Sequence, residues 1–400
     1  MASSNNIIIG QSGGATTVIN ASLVGAIESA LADGRIGGIY GMLYGVQGLL
    51  KEDLIDLRRQ PVDVWARLLN TPSASLGTCR YKLAEEDPER VIGILRRYDI
   101  HYLLYMGGND SADTTHRLAQ AAQQMGYDLR AISVPKTIDN DLPITDHCPG
   151  YGSAARFIAL DTIDSTMNTK SIPWHYPVKV IETMGRDAGW LTASSALGKR
   201  SEDDAPHILL VPEHPFNAQR FLQQVEEVYR RVGYVIVVTA ESIRDEKGQA
   251  LGEVGQVGQD AFQHPLLSGA AQQLVELVKR ELQLRARFEK PGDLQRMASN
   301  AISKTDRDEA YLVGKMGIQA LLQGEHDKMV TLLRNSEPAY HCTTGLADLS
   351  AVANVQRLLP DEYLDASKTM VTRAFYDYAL PLIGAPLPEY PVLEKIRISR

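Results

Sequence analysis

The chain reads as an α/β protein with mostly parallel sheets, and three observations predict it. Short apolar runs of strand length alternate with amphipathic helical stretches from one end to the other, the pattern of repeated βαβ units. Polar, glycine-bearing loops follow those runs, and in open α/β sheets the carboxyl edge of the strands is where ligands bind. A length of 400 residues is more than one small core needs and fits two domains of ordinary size.

The first run, Asn6 to Gly10, ends in Gly10-Gln11-Ser12-Gly13-Gly14 and passes into a helix expected over Thr17 to Leu31. Glycines there let the backbone approach a ligand, and a helix start offers N–H groups to an anion. The spacing is not the dinucleotide pattern G-x-G-x-x-G, and a tight turn without ligand is the competing reading. His101 to Met106 is followed by Gly107-Gly108-Asn109-Asp110-Ser111 and a helix over Ser111 to Met125. Asn, Asp and Ser are also helix caps, but two such loops in one domain can form one phosphate cradle.

Ala131 to Val134 leads into Pro135-Lys136-Thr137-Ile138-Asp139-Asn140-Asp141. This loop gathers a lysine, a hydroxyl and two carboxylates at a strand end. A cation beside paired acids suits phosphate chemistry, with one acid accepting a hydroxyl proton and the other helping to hold a metal. A solvated turn is the bland alternative.

A helix over Ala154 to Met167 and a strand over Val178 to Met184 follow, then Met184-Gly185-Arg186-Asp187 and a helix over Ala188 to Leu197. Next come a strand over His207 to Val211, a helix over Ala218 to Arg231, and a strand over Tyr234 to Thr239 with Glu241 at its end. Ile243 to Asp260 lacks periodicity and reads as a surface excursion, before a helix from about Leu266 to Leu284. The strand-like Arg285-Ala286-Arg287-Phe288 opens into a turn at Pro291-Gly292, bracketed by Arg287 and Arg296. Arginines at strand ends clamp phosphates in bidentate fashion, although each taken singly also suits a surface ion pair. From Ala347 onward the chain is expected to be mostly helical, ending in a proline-punctuated tail.

Composition excludes several classes. A net charge of -8 argues against a nucleic-acid surface, which needs a basic footprint. Cys79, Cys148 and Cys342 have neither metal-site nor disulfide spacing and are expected as free thiols in a reducing compartment. The start of the chain lacks a basic n-region and a signal-length apolar stretch, and no apolar run reaches the ~18 residues of a membrane span. The expectation is a cytoplasmic soluble protein.

Read together, Gly13-Gly14, Leu76-Gly77-Thr78-Cys79-Arg80, Gly107-Gly108, Thr137-Ile138-Asp139-Asn140-Asp141, Met184-Gly185-Arg186, Glu241 and Gln295-Arg296 resemble the phosphofructokinase family, in family order over nearly the whole chain. The resemblance implies two Rossmann-like three-layer lobes with the active site in the cleft between them. A phosphate-donor lobe would comprise residues 1–153 and about 297–346, and a sugar-phosphate lobe about 154–296 and 347–400. It implies phosphoryl transfer to the 1-hydroxyl of fructose 6-phosphate with Mg²⁺ as cofactor.

By the same resemblance Asp139 is the catalytic base, with Thr137 beside it. Met184, Gly185, Arg186 and Glu241 bind the sugar, and Arg296 clamps its 6-phosphate. Arg287 matches an arginine that reaches in from a neighbouring subunit, implying a homodimer or homotetramer. Gly13, Arg80, Gly108 and Lys136 lie on the donor, and Arg186 also faces the transferring group. Asn109, where the family usually has Asp, and Asp141 are the metal candidates. Asp110 replaces a glycine of ATP-using members, and its side chain and charge would occlude the α-phosphate of ATP while pyrophosphate fits. An ATP-dependent phosphofructokinase and a non-catalytic sugar-phosphate binder remain the alternatives at this point.

Overall fold

The computed structural model describes residues 5–251, 269–335, 337, 339–394 and 396–398. Eleven strands form two sheets among these residues. The first sheet holds β1 (Asn5–Gln11), β2 (Ile36–Met42), β3 (Leu54–Asp56), β4 (Ile100–Gly107), β5 (Arg130–Pro135), β10 (Lys328–Asn335) and β11 (His341–Asp348). The second holds β6 (Val178–Thr183), β7 (Ile208–Leu210), β8 (Val235–Ala240) and β9 (Ala286–Glu289).

The order in the first sheet is β11-β10-β5-β4-β1-β2-β3, with antiparallel pairing only at its two edges, β10 with β11 and β2 with β3. The second sheet, β7-β8-β6-β9, is parallel throughout. The α/β class with mostly parallel sheets is therefore as expected.

Parallel strands covered by helices on both faces must be apolar on both faces, and β1 obeys this. Ile7 and Ile9 pack with Leu23, Ile27, Val313 and Leu321 on one side. Ile8 packs with Val91, Leu95, Leu103 and Leu118 on the other. In the second sheet Ile181, Ile236 and Val238 meet Trp190, Phe375 and Tyr378. Val180, Val235 and Val237 meet Phe221, Val225, Leu274 and Val278 on the opposite face. Each sheet is thus the middle of three layers.

The topology places the loops. Chain order diverges between β1 and β4, which creates a crevice at their carboxyl ends. The register aligns Gln11 with Met106 and Gly107 with Pro135, so three strands end side by side. In the second sheet Thr183 pairs with Ala240, which brings Met184 and Glu241 together.

Several expectations are corrected. The chain after Ala347 is not mostly helical. It makes one helical turn at Leu349–Val352, one short helix at Arg373–Ala379 and two 3-10 turns. Its apolar residues Leu359, Leu364, Val371, Phe375, Leu382 and Ile383 are buried against the second sheet's core at irregular spacing, so no single helical stripe exists. Strands β2, β3, β10 and β11 were not foreseen. The helix after the first loop begins at Ile19, and its first N–H is taken by Thr16 Oγ1 at 3.0 Å, so it does not present a free start to an anion. The helix expected over Ala188 to Leu197 starts at Trp190 and tightens to a 3-10 turn at Ser195–Gly198. The helix expected from Leu266 is helical over Ala270–Leu282. Residues 252–260 of the expected excursion and 266–268 of that helix lie outside the described residues.

The helix Lys304–Gln323 returns to the first sheet and packs on the helix Ile19–Leu31 by direct backbone contact. A Cβ on Gly25 would sit 2.1 Å from the Tyr311 carbonyl, and one on Gly314 would sit 1.9 Å from the Ser22 carbonyl. Backbone cannot yield as a side-chain tip does, so Gly25→Ala is expected to destabilise the fold by about 1–3 kcal/mol or more in urea unfolding, with the helices forced apart.

Candidate active site

Four loops meet at the carboxyl edges of the two sheets. The first is fixed by main-chain bonds. Gly13 N–H donates to Cys79 O at 3.1 Å, and Gln11 Oε1 accepts from Leu76 N at 2.9 Å. These bonds pin the segment 76–80 to the glycine turn and deliver Arg80 beside it. Because the Gly13 N–H is engaged, this loop meets an anion through the cations gathered around it.

Those cations are Lys136, Arg80 and Arg296. Lys136 is 3% exposed and its ammonium donates to Gly14 O at 2.7 Å. A Cβ on Gly14 would lie 2.4 Å from Arg296 Nη1 and 4.0 Å from Arg80 Nη2, and one on Gly13 would lie 3.2 Å from Lys136 Nζ. Burial is the largest influence on Lys136 and, with Arg296 and Arg80, pulls its pKa down to about 8 against the opposing pull of Asp139 and Asp141. A desolvated ammonium beside two guanidiniums and two carboxylates is a polar, charged pocket in which an anion can be held.

The second loop begins the helix Asn109–Gln124 with Gly108 as its cap residue. Lys136 N donates to Gly107 O at 3.0 Å, which locks the Lys136 loop against it. Gly107 has no room for a side chain, since a Cβ would strike Ser111 Oγ at 2.0 Å. Asp110 sits in the first helical turn, where the helix dipole favours a negative charge. Its carboxylate makes no hydrogen bond or ion pair with the described residues. Asn109 Oδ1 is buried without a hydrogen-bond partner.

In the third loop Thr137 Oγ1 accepts from Asp139 N at 3.0 Å. Burial and the neighbouring Asp139 raise the Asp141 carboxyl to about 6, partly offset by Arg186 and Thr137. The fourth loop belongs to the second sheet. Met184 N donates to Gln295 Oε1 at 2.9 Å, and Arg186 N donates to Glu241 Oε1 at 3.3 Å. Gly185 and Arg186 both adopt positive φ, +135° and +50°, and the Arg186 carbonyl accepts from Ser242 Oγ. Burial and then Asp139 push Glu241 up to about 7. Arg296 Nη2 reaches Met184 Sδ at 3.2 Å, which joins the cation cluster to the fourth loop.

Thus Gly13, Arg80, Gly108, Asn109, Asp110, Lys136, Thr137, Asp139, Asp141, Met184, Gly185, Arg186, Glu241 and Arg296 are brought to one cleft. Arg287 is not. It stands on the edge strand β9 opposite Lys179, five residues before Met184, roughly 16 Å back along the sheet. There it bonds Asn168 Oδ1 and stacks on Tyr176 at 5.2 Å.

Some supporting residues carried no local signal. Gln295, beside Arg296 in the chain, accepts from the Met184 N–H and so fixes the fourth loop. Glu213 Oε1 accepts from Gly189 N at 2.8 Å behind the fourth loop. Among the described residues one His, Glu and Cys trio lies within mutual metal-ligand reach: His147, Glu309 and Cys342. Its atoms already bond to protein groups. His147 bridges Asp146 at 2.8 Å and Glu309 at 2.7 Å, while Tyr340 OH donates to Glu309 at 2.6 Å.

The chain matches the phosphofructokinase family over residues 6–321. It belongs to that family. It is 39% identical to the pyrophosphate–fructose 6-phosphate 1-phosphotransferase of Halomonas elongata, over 99% of this chain and 98% of that protein. The protein of that name from Methylococcus capsulatus is also 39% identical, over 96% and 93% of the two chains. The solved pyrophosphate-dependent phosphofructokinase of Nitrosospira multiformis superimposes with a TM-score of 0.88 at 36% identity, covering 99% of this chain and 95% of that one.

The Gly14 contact gives a direct test of the cation cluster. Gly14 is not among the left-handed glycines, and the atom a new Cβ would displace is the tip of Arg296. Gly14→Ala is therefore expected to leave urea stability nearly unchanged while weakening fructose 6-phosphate binding about tenfold by calorimetry, the loss of roughly one charge-assisted contact.

Proposed function

We propose that this phosphofructokinase family member transfers a phosphoryl group reversibly from pyrophosphate to the 1-hydroxyl of fructose 6-phosphate, giving fructose 1,6-bisphosphate and phosphate. The observation that carries the choice of donor is Asp110. Its carboxylate, unengaged by the described residues at the start of the helix beyond Gly107-Gly108, leaves a fixed negative charge where a third phosphate would continue. Pyrophosphate ends before it. The names of the full-length relatives from Halomonas elongata and Methylococcus capsulatus support the same donor.

In this reading Lys136 and Arg80 hold pyrophosphate over the turns at Gly13 and Gly108. Thr137, Met184, Gly185, Arg186, Glu241 and Arg296 hold the sugar phosphate. Asp139 takes the proton of the 1-hydroxyl as its oxygen attacks in line, while Lys136 and Arg186 stabilise the charge spread over the transferring oxygens. Mg²⁺ fits the oxygen-only donors present, because the orphaned Asn109 Oδ1 is the kind of hard ligand it takes, with Asp141 as the second. When bound it would neutralise charge on the phosphates. Pyrophosphate and a sugar phosphate ester lie close in transfer potential, so the reaction runs in both directions.

In this reading residues 1–153 and about 297–346 form the donor lobe, and about 154–296 and 347–400 the sugar lobe. The active form is a homodimer or homotetramer in which Arg287 enters a neighbouring subunit's site. In support, Arg287 lies too far along β9 to serve its own cleft, and it stacks on the exposed Tyr176, with the 92% exposed Trp174 two residues before that tyrosine in the chain, a surface that suits a second copy. No described helix is long and apolar enough to cross a membrane. A reducing, cytoplasmic compartment suits the free Cys79, Cys148 and Cys342.

Steady-state assays with pyrophosphate and ATP in parallel test the donor. Turnover is expected with pyrophosphate, and strong ATP turnover with none on pyrophosphate overturns the reading. Asp110→Gly is expected to raise kcat/KM for ATP by about tenfold or more, the effect of removing one repulsive charge; an unchanged value removes the occlusion argument. Asp139→Asn is expected to lower kcat by ~10²–10⁴ with the fold intact by circular dichroism.

A further inference from the structure

One side chain outside the assigned set is bound almost entirely to the backbone behind the catalytic loop. Arg357 Nε and Nη2 donate to Asn140 O at 3.2 and 2.8 Å, and its Nη1 donates to Thr145 O at 2.8 Å and Asp146 O at 2.6 Å. Its own N–H donates to Asp141 O at 2.7 Å. These bonds converge on a special turn. Asn140 lies between the two acids, is fully buried, and has φ of +56°, a left-handed conformation that Asn tolerates and most residues do not. Its side chain is also fixed, with Oδ1 accepting from Cys148 N at 3.0 Å and Nδ2 donating to Tyr378 OH at 2.9 Å.

The same arginine also contacts the residues that follow the sugar-binding loop. Its guanidinium lies 4.7 Å from the Trp190 ring, and Trp190 Nε1 donates to Arg357 O at 3.2 Å. Two residues on, Leu359 N donates to Glu213 Oε1 at 2.8 Å, the oxygen that also accepts from Gly189 N. Trp190 and Gly189 directly follow the Met184–Arg186 loop. The segment 357–359 is therefore bonded to the loop that carries Asp139 and to the loop that carries Arg186.

We propose that Arg357 is a positioning residue for the transfer. It holds the Asn140 turn between Asp139 and Asp141, and it fixes that turn against the sugar-binding loop. A guanidinium suits the task because its rigid fork serves several carbonyls at once; an ammonium cannot reproduce that geometry. A small displacement of a reacting group is enough to cost ~10²-fold in rate.

The inference rests on the phosphotransferase reading, and the test separates the two. Arg357→Ala is expected to lower kcat ~10²-fold while KM for fructose 6-phosphate stays within about threefold, because Asp139 is misaimed and the sugar contacts persist. Added guanidinium is expected to restore kcat by about tenfold, which relief of a general stability defect would not do. Should Arg357→Ala not accumulate as folded protein, Arg357→Lys carries the test, with kcat about tenfold below wild type. An unchanged kcat in either variant, or a loss in Arg357→Ala that guanidinium leaves untouched, overturns the proposal. Wild-type enzyme that uses ATP in place of pyrophosphate would sink the donor assignment alone, and the Arg357 comparison is then made with ATP.

Discussion

The desolvated ammonium of Lys136 is the interaction on which the rest of the site depends. It is buried, donates to the Gly14 carbonyl, and stands among Arg80 and Arg296 with Asp139 and Asp141 close behind. Burial pulls its pKa down, since a charged group out of water is costly unless it is compensated. The acids offset part of that cost, and an incoming polyphosphate would supply the remainder. The buried cation is thus only partly offset by the neighbouring acids, on a chain whose net charge is -8.

The fold explains how these groups converge. Strands β1, β4 and β5 end in register, so the Gly13, Gly107 and Lys136 loops form one surface. Gly25 and Gly314 let the helix Lys304–Gln323 lie directly on the helix Ile19–Leu31, closing the first lobe's core beneath that surface. The second sheet contributes through Met184 and Glu241, and Arg296 bridges the two sets. Glu241 feels Asp139 strongly enough to be pushed upward with burial, which is itself a sign that the lobes' loops share one electrostatic environment.

The Lys136–Asp141 loop was legible in the sequence because its chemistry is contiguous: lysine, hydroxyl and two acids within six residues after an apolar run. Most strands buried on both faces were legible for the same local reason, as in Ile7-Ile8-Ile9 or Val235-Ile236-Val237-Val238. Strand β2 was not, because Ile36-Gly37-Gly38-Ile39-Tyr40-Gly41 carries three glycines that weaken any strand signal. The antiparallel edge β11 is mostly solvent-facing and lacks an apolar run. The tail's burial is decided by the core it wraps, so its periodicity misled. Arg357 was invisible for a different reason: it is 217 residues from Asn140, and a bond between a side chain and a distant carbonyl leaves no local pattern.

Proton uptake on ligand binding measures the incomplete cation directly. With the Lys136 pKa held near 8 in the free enzyme, an arriving anion raises it, so binding just above pH 8 must draw a proton from solution. Calorimetry of pyrophosphate binding in two buffers of different ionisation enthalpy reads that proton. Wild type is expected to take up more protons than Lys136→Met, the excess vanishing well below pH 8 where the lysine is already charged. Equal uptake by the two proteins above pH 8 would contradict a desolvated, anion-completed Lys136.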